Sequence, residues 1–226
     1  MGDPVVIFVS FLKSLALVPL TLLPIINPLG GAPVFIATAG TNPLVVRKMA
    51  RRVAINSWYV LVVSMLVGTY VLEVFGISLQ IVRLGGGLML ATAGWRLLGS
   101  RGGNDVQKAV VDQNTDLSDA ELAKRSFFPI TFPLTTGPGA IAASIALGVH
   151  LPRTPVLYLA GATIAVVGVA FTAFVVYLCY RNAAKVLSML GEVGSMVIMR
   201  MFAFILLCIG IEIMWAGWAA LNHIAS

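Results

Sequence analysis

Residues 24–37 read "PIINPLGGAPVFIA": three prolines, two glycines and an asparagine inside a segment that is otherwise oily from residue 5 to residue 39. Proline removes a backbone donor and its ring pushes against the carbonyl four residues back. In hydrocarbon, each backbone group released this way costs several kcal/mol unless something satisfies it. One proline kinks a helix. Three beside a glycine pair interrupt it.

The surroundings are strongly apolar. Of 226 residues, 59% are apolar and only 11% charged, against about half and about a quarter in soluble domains. "WYVLVVSMLVGTYVL" (58–72) and "TPVLYLAGATIAVVGVAFTAFVVYLCY" (154–180) carry no charge and no polar face, whereas a surface helix of a soluble protein shows one. About 20 such residues cross the hydrocarbon core. Six segments of this kind, at 5–39, 54–73, 77–98, 126–150, 155–179 and 195–221, predict an all-α integral membrane protein with six transmembrane helices. The whole chain, 1–226, then forms one transmembrane domain.

This setting fixes the meaning of the net charge of +6. The Lys and Arg residues form no basic stripe with interleaved aromatics, so nucleic acid is not an expected partner; they read as topology signals. Cys179 and Cys208 stand alone, there is no CxxC, and His150 and His223 lack ligand-spaced partners. The expectation is no metal, no cofactor and, without a nucleophile–base pair, no enzyme. The N-terminal "MGDPVV" lacks the basic region of a cleaved signal peptide.

The opening stretch recurs. "PITFPLTTGPGAIA" (129–142) aligns with it without gaps, and seven of the fourteen positions agree. They include all three prolines: Pro24 with Pro129, Pro28 with Pro133, Pro33 with Pro138. Matching Ile and Ala mean little in an oily chain, but three prolines in register do not arise cheaply. "SLQIVR" ending at Arg83 and "SMVIMR" ending at Arg200 add a weaker echo. The chain therefore divides into a first three-helix repeat, 1–99, a polar linker, 100–125, and a second three-helix repeat, 126–226. Ser118 with Glu121 three residues on predicts a short capped helix at the end of the linker. Three spans per repeat put the second in the opposite sense, a 3+3 inverted-topology repeat with helices one and four broken, as in many secondary transporters. Positive charge concentrates after spans one, three and five (Arg47, Lys48, Arg51, Arg52, Arg101, Lys108, Lys124, Arg125, Arg181, Lys185). That side is expected in the cytoplasm and both termini outside.

A break opens a new helix N-terminus, whose bare amides and positive partial charge suit an anion such as a carboxylate. Carbonyls released before the break suit an ammonium or could hold a cation. Gly30, Gly31, Gly137 and Gly139 would let a ligand approach the backbone, and Pro33 and Pro138 fit the first turn of the restarted helices. Asn27, Thr131, Thr135 and Thr136 are small polar groups able to orient a zwitterion, and with Pro28 complete the expected binding set. The short residues around them suggest no large hydrophobic cavity. Close helix packing explains the same glycines without a ligand; symmetric breaks at corresponding positions favour the transport reading. Glu212 is the one acid well inside a span, a coupling-proton candidate weighed evenly against a snorkelling side chain. Arg83 and Arg200 either anchor span ends or pair with carbonyls freed at the breaks. Gly87, Ala91 and Gly94 share a helical face suited to packing on a broken segment. Trp58, Trp95, Trp215 and Trp218 fit interfacial belts.

"NPLGGAPVFIATAG" from Asn27, "FGISLQIVRLGGGLML" from Phe75 and "FPLTTGPGAIAASIALG" from Phe132 resemble, in order, the signature segments of the MarC family. Asn27, Pro28, Gly30, Pro33, Gly85, Gly86, Pro133, Gly137, Pro138 and Gly139 carry the match; Glu212 departs from it, since the family leads one to expect Gln there. The resemblance implies a six-span bacterial or archaeal inner-membrane protein and transport of small neutral amino acids such as glycine and alanine, coupled to protons. The expected partners are a zwitterionic amino acid and membrane lipid, with room for an oligomer. A passive channel, or an exporter of another small polar solute, is the alternative.

Overall fold

The computed structural model describes residues 4–40, 42–99, 118–149 and 155–222, which are helical throughout their length apart from short turns. In chain order the helices are α1 (Pro4–Ile26), α2 (Pro28–Ala39), α3 (Pro43–Val74), α4 (Leu79–Gly99), α5 (Asp119–Arg125), α6 (Pro138–Val149), α7 (Pro155–Arg181) and α8 (Ala183–Leu221). A wide-turned segment, Ser126–Thr135, joins α5 to α6. Most of the linker lies outside the described residues. Its end matches expectation: α5 begins after Ser118, whose Oγ accepts the Glu121 amide at 3.2 Å.

The long first segment is two helices, α1 and α2, bent by 53° at Asn27; the fourth bends by 68° between Thr135 and Pro138. Three further stretches are long and apolar enough to cross a membrane: Pro43–Val74, Tyr158–Arg181 and Arg200–Leu221. Counting each bent pair as one crossing gives five among the described residues. The sixth expected crossing, 77–98, corresponds to α4. It has 21 residues, but Gln80, Arg83, Arg96 and its glycines leave it short of a span by composition. The corner between α7 and α8 is tighter than a loop. Only Asn182 separates them, its amide bonded to the Leu178 carbonyl at 3.1 Å and its own carbonyl accepting the Val186 amide at 3.0 Å.

The most extensive helix pair is α4 with α8. A β-carbon on Gly87 would lie 2.5 Å from Met214 N and 2.6 Å from Gly210 O; on Gly94, 2.6 Å from Leu207 N; on Gly210, 2.3 Å from Ala91 N. These backbones touch, which only small residues permit. The Gly87, Ala91, Gly94 face therefore packs on α8 and not on a broken segment. Gly86 meets the broken segment instead, facing Ala142 Cβ and the Pro138 carbonyl. Elsewhere α3 packs on α6 and α7, α1 on α7, and α6 bridges α3 and α4. Trp58 is half-buried and donates from Nε1 to Val166 O of α7 at 3.3 Å. Trp95, Trp215 and Trp218 are exposed.

Candidate functional site at two helix breaks

The first break is one residue wide. Asn27 adopts φ 47°, ψ 61°, the left-handed region that asparagine tolerates better than most residues. Its Oδ1 accepts the Gly30 amide at 3.0 Å, satisfying one of the orphan donors of α2. Pro28 opens α2 and needs no donor there. Pro33 does not open a helix; it sits inside α2, and Pro24 sits inside α1. We expect Asn27→Ala, which loses both the cap and the tolerance of positive φ, to lower stability by about 1–2 kcal/mol. Asn27→Gly, which loses the cap but keeps the tolerance of positive φ, should cost less than Asn27→Ala. Thermal unfolding of the purified variants checks the order, and an unchanged Asn27→Ala would remove the cap from the account.

The second break is longer. Proline disfavours helical geometry in the residue before it, and Phe128 (φ −120°, ψ 123°) and Phe132 (φ −122°, ψ 128°) are both extended ahead of Pro129 and Pro133. The helix restarts only at Pro138. Aligned prolines thus do different work: the restart falls at Pro28 in one half and at Pro138, the partner of Pro33, in the other. The Asn27 cap allows an immediate restart, whereas two Phe-Pro steps postpone it.

The threonines are buried and serve the backbone. Thr131 Oγ1 donates to Ser126 O at 2.7 Å, Thr135 Oγ1 to Ile130 O at 2.7 Å and Thr136 Oγ1 to Thr131 O at 2.9 Å. Each reaches five residues back, closing carbonyls where the chain leaves regular helix, as buried backbone acceptors require. The glycine faces are also filled by protein. A β-carbon on Gly30 would meet the Asn27 side chain at 2.4 Å, on Gly31 the Tyr180 hydroxyl at 2.7 Å, on Gly137 the Pro133 carbonyl at 2.6 Å and on Gly139 the Leu90 side chain at 1.7 Å.

What brings the two breaks together is Tyr180, on the last turn of α7. Its ring stacks on Phe35 of α2, centroids 4.6 Å apart and planes within 4°. Its hydroxyl lies 2.9 Å from Thr135 Oγ1. A threonine hydroxyl has one proton, here given to Ile130 O, so Tyr180 is the donor. Tyr180 is fully buried and touches Gly31 of one break and Thr135 of the other. The sequence reading missed it, because a tyrosine beside Arg181 at the end of an apolar run looks interfacial. The only signal was a phenol opposite a helix with a glycine at the right register, which no pattern reveals.

Two mostly apolar cavities flank α1, where the short residues nearby suggested no large hydrophobic one. One, of about 410 Å³, is lined by Thr21 and Ile25 of α1, Ala142 and Ala146 of α6, Ile213 of α8 and Arg83 of α4. The other, of about 450 Å³, is lined by Asn27, Pro28, Cys179, Phe202 and Ile205 among others. Leu20 and Pro24 line both. Their carbonyls have no amide four residues on, because those positions are Pro24 and Pro28. Arg83 is the charged group of the first cavity and has no hydrogen-bond or ion-pair partner among the described residues. Its repeat counterpart Arg200 is exposed. Glu212 is exposed too, about half a turn round α8 from Gly210 and Gly217, which face α4. Neither residue lines a cavity described here. Among the described residues no three His, Cys, Asp or Glu side chains converge on a metal geometry.

Comparison with known proteins points to a family of integral membrane proteins. The family model described as "MarC family integral membrane protein" matches residues 12–221. The inner membrane protein MarC of Salmonella typhimurium is 26% identical over 218 residues, covering 91% of this chain and 94% of its own. A UPF0056 membrane protein of Buchnera aphidicola subsp. Schizaphis graminum is 27% identical over 222 residues, 96% of each chain, and its counterpart from subsp. Acyrthosiphon pisum is 26% identical over 198 residues, 87% of this chain and 88% of its own. No solved structure matches. Membrane-length apolar helices, two broken helices at matching places and a family match over nearly the full length together make this chain a member of the MarC family of integral membrane proteins.

Proposed function

We propose that the protein is a secondary transporter of the inner membrane for a small neutral amino acid, working by alternating access around its two broken helices. In this reading α1–α4 and the segment from Ser126 to α8 are inverted repeats of three crossings each, α4 and α8 being the equivalent third crossings, with the Arg-rich ends in the cytoplasm and both termini outside. The inner-membrane placement follows that of the Salmonella relative, an inner membrane protein by name. The observation that carries the reading is the pair of breaks at corresponding sequence positions, joined through Tyr180. Discontinuous helices of this kind are where transporters hold substrate.

The chemistry of the Arg83 cavity suits a zwitterion. An unpartnered guanidinium offers charge-assisted bonds to a carboxylate. The carbonyls of Leu20 and Pro24, deprived of helical donors, are acceptors for an ammonium. The mostly alkyl lining favours a small side chain over a charged one. Coupling to protons is part of the proposal; Glu212, on the outer face of α8, would serve it only in another arrangement of the helices.

The deciding experiment is counterflow in proteoliposomes: labelled glycine or alanine accumulating against an excess of unlabelled substrate inside. Saturable counterflow is the expected result. Flux without counterflow would mean a channel, and no flux of any small amino acid, with or without a pH gradient, would sink the reading. Arg83→Gln should raise the KM by about 10- to 100-fold, the equivalent of a charged hydrogen bond of about 1.5–3 kcal/mol. An unchanged KM would remove Arg83 from the substrate site.

A further inference from the structure

A cleft of about 770 Å³ opens between the first half of α3 and the last half of α7. Arg47 and Arg51 stand at its mouth, and Ala54, Ile55, Trp58, Tyr59, Ala170, Ala173, Phe174 and Tyr177 line the rest. Like charges four residues apart on a helix repel. The neighbouring cations share one acid: Asp119 of α5 pairs with Lys48, and Arg52 donates to the Asp119 carbonyl at 2.7 Å and lies 3.7 Å from its carboxylate. Those pairings hold the Asp119 carboxyl below its ordinary range, chiefly through the Lys48 hydrogen bond and charge. Arg47 and Arg51 have no such acid among the described residues. Arg181 adds a third cation beside the cleft, 5.9 Å above the Tyr177 ring.

Below the arginines the cleft changes character. Ala54, Ala170 and Ala173 make a narrow floor, and Ile55, Tyr59 and Phe174 expose roughly half their surface as walls. From Arg47 to Tyr59 is twelve residues of helix, about 18 Å, close to the ~15 Å of one leaflet's hydrocarbon. A cationic mouth, an aromatic collar and an apolar furrow of one-leaflet depth match an anionic head on an acyl chain. We infer that this α3/α7 cleft is a binding site for an anionic phospholipid, its phosphate held by Arg47 and Arg51 and one acyl chain lying along the alanine floor. Basic pockets between helices at one membrane face bind such headgroups. The site is separate from the helix breaks and does not depend on the transport reading.

The test is lipid retention by the purified full chain, measured by native mass spectrometry after exchange into mixed phosphatidylglycerol and phosphatidylcholine. Selective retention of phosphatidylglycerol is expected, reduced at least tenfold by the pair Arg47→Gln and Arg51→Gln. Lys124→Gln, which removes an exposed charge outside the cleft, should change nothing. Ala170→Trp, which fills the furrow but keeps both arginines, should also lose the lipid, and it serves if the double variant fails to fold. Millimolar inorganic phosphate should not displace the lipid. Equal retention of the two lipids overturns the inference, as does full retention by the folded double variant or by Ala170→Trp. So does an equal loss in Lys124→Gln, which would reduce the effect to net charge, or displacement by phosphate, which would leave the acyl chain no role.

Discussion

Gly87→Leu should leave almost no folded protein. The added side chain would start 2.5 Å from Met214 N and 2.6 Å from Gly210 O, and both obstacles are backbone, so no rotamer change makes room. Overpacking typically costs about 1–3 kcal/mol and sometimes more; a clash between two main chains belongs at the top of that range or beyond it. Gly210→Leu should behave alike from the other side, with its β-carbon 2.3 Å from Ala91 N. Gly85→Leu is the control: nothing lies within 4 Å of its face, so it should express and unfold near the parent. Detergent-solubilised yield and apparent melting temperature decide the matter. If Gly87→Leu and Gly85→Leu prove equally stable, the α4/α8 seam is not a backbone contact.

The second large effect is a coupling between two residues 149 positions apart in sequence (Gly31 and Tyr180). Gly31→Ala would place a methyl 2.7 Å from the Tyr180 hydroxyl oxygen, whereas the next atom of that side chain, the ring carbon bearing the hydroxyl, is 3.6 Å away. Gly31→Ala alone should therefore cost about 1–3 kcal/mol. In a Tyr180→Phe background most of that cost should vanish, since 3.6 Å is an ordinary contact. Tyr180→Phe alone should cost about 1 kcal/mol, the value of a typical hydrogen bond, because Thr135 keeps its bond to Ile130 O. The cycle isolates the contact, since residues in touch are non-additive by about 0.5–3 kcal/mol. Additive effects would mean that Gly31 and Tyr180 do not meet. Carried into proteoliposomes, the same variants ask whether transport follows the link: the proposed mechanism expects Tyr180→Phe to change the exchange rate by more than its stability loss explains.

The break positions were legible because they are written in covalent constraints. Proline without an amide, the residue before proline, and an asparagine tolerant of positive φ act within a few residues, wherever the chain is. The reading placed one break within residues 24–33, with Asn27 inside it, another ahead of Pro138, and the short capped helix after Ser118, on such local grounds. It misjudged Pro33, treating matched letters as matched roles. The restart depends on whether a cap is at hand: Asn27 supplies one in the first half, while Phe128 and Phe132 delay the second. It took the threonines as groups able to orient a zwitterion; in the fold their protons go to carbonyls five residues back.

The chain by itself determined that it is an integral membrane protein of broken and unbroken helices, since apolar run length and proline chemistry need no partner to take effect. Tertiary structure alone decided that α4 seats its glycines on α8, that Arg83 looks into a cavity while Arg200 and Glu212 look outward, and that Tyr180 ties the breaks together. Those outcomes depend on which surfaces meet across more than a hundred residues. A helix presents faces all round its axis, and only packing against another helix selects the one that is buried.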